Sequence, residues 1–486
     1  MIETSHTVKV NLRGGVASAG DLYEILTMAE KSGSDDVYFG TRQQLYFNIR
    51  QDRLEDLEYD MLAAGINYEL DNDEHPNIVS SYVADTIFNT DNWLKEGLYK
   101  DIFDLFSHQP RLKINLADST QTFIPFFTGN LNFISSGVSN YWYLYIRFPK
   151  TNQLCCCPVL IYSDDIPQVS KIIEDLIFTK KSKFYDREAV DEQLFFDLLK
   201  PLISFAQKLT ENLALPDFTL PYYEGFNKYG NNKYWLGIYR RNECFPVSFL
   251  KDVCMLCIQT RVGQLYITPW KSLLVKNIDS ADRPDWGSLL NKHRLNVRHA
   301  ANELNWQTED NCAEGLELKK YLVREFEEAD MRTYRLCFAV KTQPRTGLFG
   351  SVILKKQGDS LWEIMYTRDF NPNSKDFIIY KKRIPKAELG KHLEALCNIY
   401  YNFYSDNEID AGKRGLQHEE DRSEPQVTEV YQCTQCLSIY DAAYGDELND
   451  ILPGTAFDSL ENYCCPVCSS PKSDFVRREW AANRVQ

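Results

Sequence analysis

The 486-residue sequence is short of positive charge: 54 lysines and arginines stand against 69 aspartates and glutamates, a formal net charge of −15. A surface this acidic repels phosphate backbones, which excludes a general nucleic-acid binder. No apolar run reaches the ~18 residues of a membrane span, so no membrane insertion is expected. No charged start leads into a short apolar stretch and a cleavage site, so no secretory signal is expected and the cytoplasm is the expected location. Gly14-Gly15 is not followed by the Lys-Ser/Thr of a phosphate-binding loop. No grouping of serine, histidine and aspartate stands out either, and no catalytic residue is assigned.

What is present is ordinary for a globular chain, with 44% hydrophobic and 25% charged residues, except for a rich 13% of aromatics that implies large cores. The length suits about three units. Fourteen cysteines occur without an export signal. Thiols in a reducing compartment stay free, so these are packing residues, metal ligands or redox groups.

Five of the fourteen read as packing. Cys254 and Cys257 form a C-x-x-C on an apolar helical pattern with no partner pair. Cys155, Cys156 and Cys157 are consecutive in a strand-like segment, where neighbours point to opposite faces and cannot share one metal. The C-terminal region differs. Cys433 and Cys436 form one C-x-x-C, and Cys465 and Cys468 form another, with Cys464 adjacent to the second. Two such turns facing each other offer four thiolates in a tetrahedron, which suits iron or zinc. Each turn also aims backbone N–H groups at the sulfurs, which stabilises their charge. His299, further upstream, reads as a surface or capping histidine rather than a ligand.

The segment Tyr431 to Phe475 resembles rubredoxin, a one-iron electron carrier. The resemblance is carried by Tyr431, Tyr440-Asp441, Gly445-Asp446, the Pro453-Gly454-Thr455-x-Phe457 turn, Tyr463, Cys465-Pro466-x-Cys468, Lys472 and Phe475. It implies that Cys433, Cys436, Cys465 and Cys468 hold one iron ion per chain, cycling between Fe2+ and Fe3+, while Cys464 fills a variable position. A zinc ribbon is the alternative, although its insert between pairs is usually shorter, about 15–20 residues. One departure is that Leu437 and Ser469 replace the glycines that often follow each C-x-x-C, and a Cβ is costly at positive φ.

The first 400 residues contain a faint repeat. The stretch LYEILTMAEKSGSDDVYFGTRQQLYFNI reads as helix, turn and strand pair, and FLKDVCMLCIQTRVGQLYITPWKSLLVKNI reads the same way, with Gln43 aligned to Lys271 and Leu45 to Leu273. With the leader VKVNLRGGVASAGDLYEIL and the Gly129–Ile134 segment, this pattern resembles the duplicated ferredoxin-like half-domains of siroheme nitrite and sulfite reductases. That family holds a [4Fe–4S] cluster by a C-x5-C and a C-x3-C. Here Trp306 stands in the first position, Cys312 keeps the second, and the C-x3-C expected near AVKTQPRTG is missing, with Cys337 early and alone. One thiolate cannot hold a four-cysteine cluster, so neither [4Fe–4S] nor the siroheme it bridges is expected. Of the basic residues that grip anions in the family, two are replaced by Tyr38 and Pro76. Arg42, Arg111 and Lys113 remain as candidate anion-site residues, the last two spaced to share one face of a strand.

The fold class expected is therefore α+β: a duplicated nitrite/sulfite reductase-like scaffold, with halves at 1–235 and 236–404, a flexible linker at 405–428 and a rubredoxin-like metal domain at 429–480. The expected function is electron transfer with a redox partner protein, as a carrier rather than an enzyme, serving nitrite or nitrate assimilation or sulfite reduction. An active reductase with atypical cofactor binding and a zinc-stapled binding protein are the alternatives.

Overall fold

A computed structural model of the chain describes residues 5–402 and 427–481, apart from 91, 204, 205, 210, 231, 345, 346, 359, 437, 443, 444, 447, 448, 450 and 453. The chain divides into two compact units, Met1–Tyr400 and Tyr401–Gln486. Residues 405–426 of the expected linker, and Leu437, lie outside the described residues.

The repeat is real. Helix Ala19–Lys31 buries Leu22, Ile25, Leu26 and Ala29, the i, i+3, i+4, i+7 spacing of one helical face. Helix Val247–Gln259 buries Leu250, Val253, Cys254 and Cys257 at the same spacing. The two helices pack on each other in one core. Cys254 and Cys257 thus occupy the positions of Leu26 and Ala29, and burial pushes both thiols up, Cys254 to about 12. Each helix leads into a strand pair: Asp36–Phe39 with Gln44–Arg50, and Gln264–Ile267 with Leu273–Asp279. The connecting turns match bond for bond. Gln43 donates its N–H to Gly40 O (2.9 Å) and Lys271 donates to Thr268 O (3.1 Å). Both turn residues are left-handed, at φ 61° and 54°.

The two halves exchange strands. One five-stranded sheet runs Cys244–Pro246, Asp36–Phe39, Gln44–Arg50, Ser5–Asn11, Tyr68–Leu70; the other runs Gly225–Tyr229, Lys233–Ile238, Leu273–Asp279, Gln264–Ile267, Val16–Ser18. Each sheet therefore ends on a strand borrowed from the other half. The boundary expected at 235/236 falls inside strand Lys233–Ile238, which is bonded on both sides. The halves are structural repeats but not separable pieces at that point.

A seven-stranded mixed sheet, including Ile114–Ala117, Leu131–Ser135 and Tyr141–Arg147, and a five-stranded sheet from Trp306–Thr308 to Phe377–Pro385 complete the first unit. Cys155 and Cys157 are buried in its core and Cys156 turns the other way, as strand alternation requires. The second unit has a three-stranded sheet, with Val427–Cys433 between Ile439–Tyr440 and Phe475–Ala481. The sheet's first strand begins inside the stretch expected to be linker. Tyr440, Phe457 and Tyr463 form its core, with Tyr431 and Phe475 against them.

Candidate metal centre

Strand Val427–Cys433 delivers Cys433 opposite Phe475. A tight turn then brings Cys436 back. Cys433 N–H donates to Ser438 O at 2.8 Å, and in the second turn Cys465 N–H donates to Ser470 O, also at 2.8 Å. The two turns are copies of one local structure. Ser469 sits at φ 60°, the left-handed conformation its position requires, so a side chain is accommodated where glycine is usual.

The aromatic residues fix the distance between the turns. Tyr431 stacks on Phe457 with centroids 4.1 Å apart, and Tyr463 meets Tyr440 and Phe475, each at 5.4 Å. Their polar ends are satisfied: Tyr440 donates to Thr455 O and Tyr463 to Asp446 Oδ2, both at 2.8 Å. Lys472 Nζ closes the opposite side on Leu460 O (2.8 Å) and Asp458 O (3.0 Å). Gly445, at φ 72°, admits no side chain, because a Cβ there would come within 2.4 Å of Ile451 O.

The result is four sulfurs, of Cys433, Cys436, Cys465 and Cys468, all within 4.8 Å of one another. The cross-turn pairs Cys433–Cys468 and Cys436–Cys465 are 3.6 and 3.4 Å apart. A tetrahedral tetrathiolate with metal–sulfur bonds of about 2.3 Å needs sulfurs about 3.8 Å apart, so the donor set fits one such ion with little movement. Cys433 and Cys465 are buried, Cys436 is half-buried and Cys468 is exposed. Cys464 is exposed too, and its sulfur lies against Asn462 O rather than in the cluster.

The thiols are tuned unequally. Burial opposes ionisation of Cys465, but the Ser438 hydroxyl and the N–H groups of Cys468 and Val467 outweigh it and hold the thiol down to about 6. Cys433 is also lowered, by the N–H groups of Cys436 and Gln435 against the effect of burial. At Cys468 the Ser470 hydroxyl pulls down, yet the neighbouring Cys436 and Cys465 sulfurs leave it at about 11. Metal binding requires all four as thiolates.

In the first unit the basic candidates are dispersed. Arg42 is buried and spends its donors on protein: Nη2 on Asn77 O (2.7 Å) and Ile114 O (2.9 Å), Nη1 on Asn115 Oδ1 (3.2 Å). Lys113 lines the same cavity as Arg42, and that cavity measures only about 20 Å³. Burial, then the Arg42 charge, lowers the Lys113 amine. Arg111 is elsewhere, bonded to Glu174 at 3.4 Å and lying 4.3 Å over the Phe178 ring. The strand begins only at Ile114, so two-residue alternation does not hold Arg111 and Lys113 on one face. His299 is also not a surface group: it pairs with buried Glu224, Nδ1 to Oε1, at 2.5 Å.

Trp306 is 2% exposed and stacks on Phe338 at 4.7 Å. Cys312 caps the helix Ala313–Glu328, taking the Gly315 N–H at 3.3 Å, and its sulfur lies 3.4 Å from Thr342 Oγ1. Thr342 belongs to the segment where the resemblance leads one to expect the C-x3-C. Cys337 is buried 0% exposed in the core, and burial pushes its thiol well up. Beside these residues lies a charge cluster that sequence reading missed. Glu243 accepts from Lys271 (2.8 Å), Lys319 (2.9 Å) and Thr308 (2.9 Å). Lys271 was visible through its alignment with Gln43; Glu243 and Lys319 carry no local signal.

Comparison with known proteins separates the two units. The rubredoxin family profile matches residues 430–475. Over 56 residues the chain is 45% identical to the probable rubredoxin HupI of Bradyrhizobium diazoefficiens, covering 11% of this chain and 81% of that protein. Over 48 residues it is 44% identical to the probable rubredoxin HupJ of Rhodobacter capsulatus, covering 10% of this chain and only 17% of that longer protein. Among solved structures, the NirA protein of Mycobacterium tuberculosis superposes with a TM-score of 0.59 at 14% identity, covering 80% of both chains. At that identity the likeness concerns fold: the first unit has the duplicated reductase-like α+β fold.

Proposed function

The chain belongs to the rubredoxin family through its C-terminal domain, and on that premise we propose that it carries single electrons, with Cys433, Cys436, Cys465 and Cys468 holding one iron ion. The observation that carries this reading is the set of four sulfurs within 4.8 Å of one another, framed by the aromatic core the family uses. Held by these four cysteines, an iron ion would supply one-electron chemistry between ferric and ferrous states with the same four sulfurs around it. The protein's part is to hold the sulfurs at fixed spacing, to exclude water on the Cys433 and Cys465 side, and to leave an edge at exposed Cys468 and Val467 through which the electron passes.

The reductase-like unit serves, in this reading, as a docking scaffold for a redox partner protein in nitrite or nitrate assimilation or sulfite reduction, in the cytoplasm. Two features support a scaffold over a siroheme enzyme. The space beside Arg42 and Lys113 is about 20 Å³, room for about one water and not for a macrocycle. The first cluster-cysteine position is a packed tryptophan. Among the described residues no helix is long and apolar enough to cross a membrane.

Visible absorption of the intact protein tests the reading. The ferric tetrathiolate should be red. Cys465→Ser should bleach it and Cys464→Ser should leave it. Colour that survives loss of Cys465 would show the ligand assignment to be wrong, and a colourless, zinc-loaded protein would support the structural alternative.

A further inference from the structure

We propose that Ser438 and Ser470 set the reduction potential of the metal centre, by donating hydroxyl hydrogen bonds to its sulfur ligands. The inference rests on the assignment of the four cysteines to one iron.

Both ligand turns read C-x-x-C-x-S, Cys433 to Ser438 and Cys465 to Ser470. The backbone carbonyls of the two serines close the turns on Cys433 and Cys465 N–H, which leaves each hydroxyl facing the sulfurs. Ser438 Oγ lies 2.9 Å from Cys465 Sγ and 3.2 Å from Cys436 Sγ, so it touches a ligand from each pair. Ser470 Oγ lies 3.1 Å from Cys468 Sγ. Metal-bound sulfurs are thiolates without protons. In the loaded centre each hydroxyl must therefore be the donor, since a serine O–H has a proton to give and a thiolate has none.

The consequence for the potential follows from charge. Four thiolates on ferric iron sum to −1 and on ferrous iron to −2. Reduction takes one electron from an external reductant, breaks no bond and moves no proton. The added charge falls largely on the sulfurs, so a donor aimed at them favours the ferrous form more than the ferric and raises the potential. Ser438 reaches two sulfurs in a part-buried setting and should contribute more than Ser470, which reaches one at the exposed Cys468. Neither serine contributes to the aromatic core, so their removal leaves the fold-determining contacts in place.

The test is a dithionite titration of the full chain with mediators of known potential, following the ferric absorption. Ser438→Ala should shift the equilibrium against a fixed mediator toward the ferric form by about tenfold, which for a one-electron couple is ~59 mV. Ser470→Ala should shift it in the same direction by less, and the double variant by more than either. Ser438→Thr keeps the hydroxyl and should stay near the parent value, as should Cys464→Ser. A second readout is the energy of the sulfur-to-iron charge-transfer bands, which should fall in the alanine variants as the sulfurs lose a donor. If Ser438→Ala does not retain iron, Ser470→Ala and Ser438→Thr still decide the matter. Iron-loaded, red alanine variants with unchanged potentials and unchanged bands would overturn the proposal while leaving the iron assignment intact. A parent protein without iron would overturn the assignment, and the proposal with it.

Discussion

Replacing Glu243 by glutamine removes the carboxylate shared by Lys271 and Lys319 with almost no change of shape. All three side chains are buried, at 7%, 5% and 3% exposure. Breaking one partner of a buried ion pair costs about 3–5 kcal/mol, because the remaining charge is left without compensation. Lys271 keeps Asp310 at 3.6 Å, and Lys319 keeps the Tyr239 hydroxyl at 2.9 Å, so the lower end, about 3 kcal/mol, is expected. The same pairing shows in the acidity of the carboxyl. Burial pushes the Glu243 carboxyl up, but Lys271 and Lys319 outweigh it and bring it from 4.5 to about 2. At 1.36 kcal/mol per unit that also amounts to about 3 kcal/mol. Because the folded-state value is depressed, the contribution is complete above the unfolded value near 4.5 and disappears as pH falls through about 2. Urea unfolding of the full chain, followed by tryptophan fluorescence, should show Glu243→Gln less stable at pH 7 and the gap to the parent narrowing at acid pH. Adding Lys319→Met should recover part of the loss, since the two residues are coupled. A loss below ~1 kcal/mol at neutral pH, or a gap that does not narrow in acid, would mean that this cluster does not stabilise the fold as a buried ion network.

Trp306→Ala should cost about 3–5 kcal/mol, the range for large aromatic deletions in a core, and should leave the iron content unchanged; a stable variant would mean the stack on Phe338 is dispensable. The second unit carries Asp441, Asp446, Glu447, Asp450, Asp458 and Glu461, and acidic carriers meet basic partners through long-range attraction. Electron transfer with the native partner should therefore slow as salt rises, given a Debye length of ~10 Å at 0.1 M. Neutralising Asp446, Glu447 and Asp450 together should slow it comparably at low salt. In stopped-flow traces, a rate indifferent to both changes would point to an apolar contact.

The parts of this molecule that sequence reveals are those whose chemistry is local. The C-x-x-C pairs, the glycine at φ 72° and the aromatics of the small core each announce themselves within a few residues. The repeat was legible because Gln43 and Lys271 hold the same left-handed turn between the same kinds of strand, and because apolar spacing on the two helices is identical. What depends on distant residues was not legible. Nothing near Glu243 signals that Lys319 will reach it, and nothing near His299 signals buried Glu224. Strand exchange between the halves likewise rests on pairs such as Cys244 with Tyr38, far apart in sequence. Arg111 and Lys113 lie just ahead of the strand that begins at Ile114, a boundary that period-two spacing alone does not fix.

In the proposed function one mononuclear iron, held by four thiolates, is the redox centre of this chain. Iron and acid-labile sulfide are to be measured together on the intact protein. One iron and no labile sulfide per chain are expected, with the red ferric bands bleached by dithionite and restored by air. About four sulfides with matching iron, as a [4Fe–4S] cluster would release, would contradict this assignment.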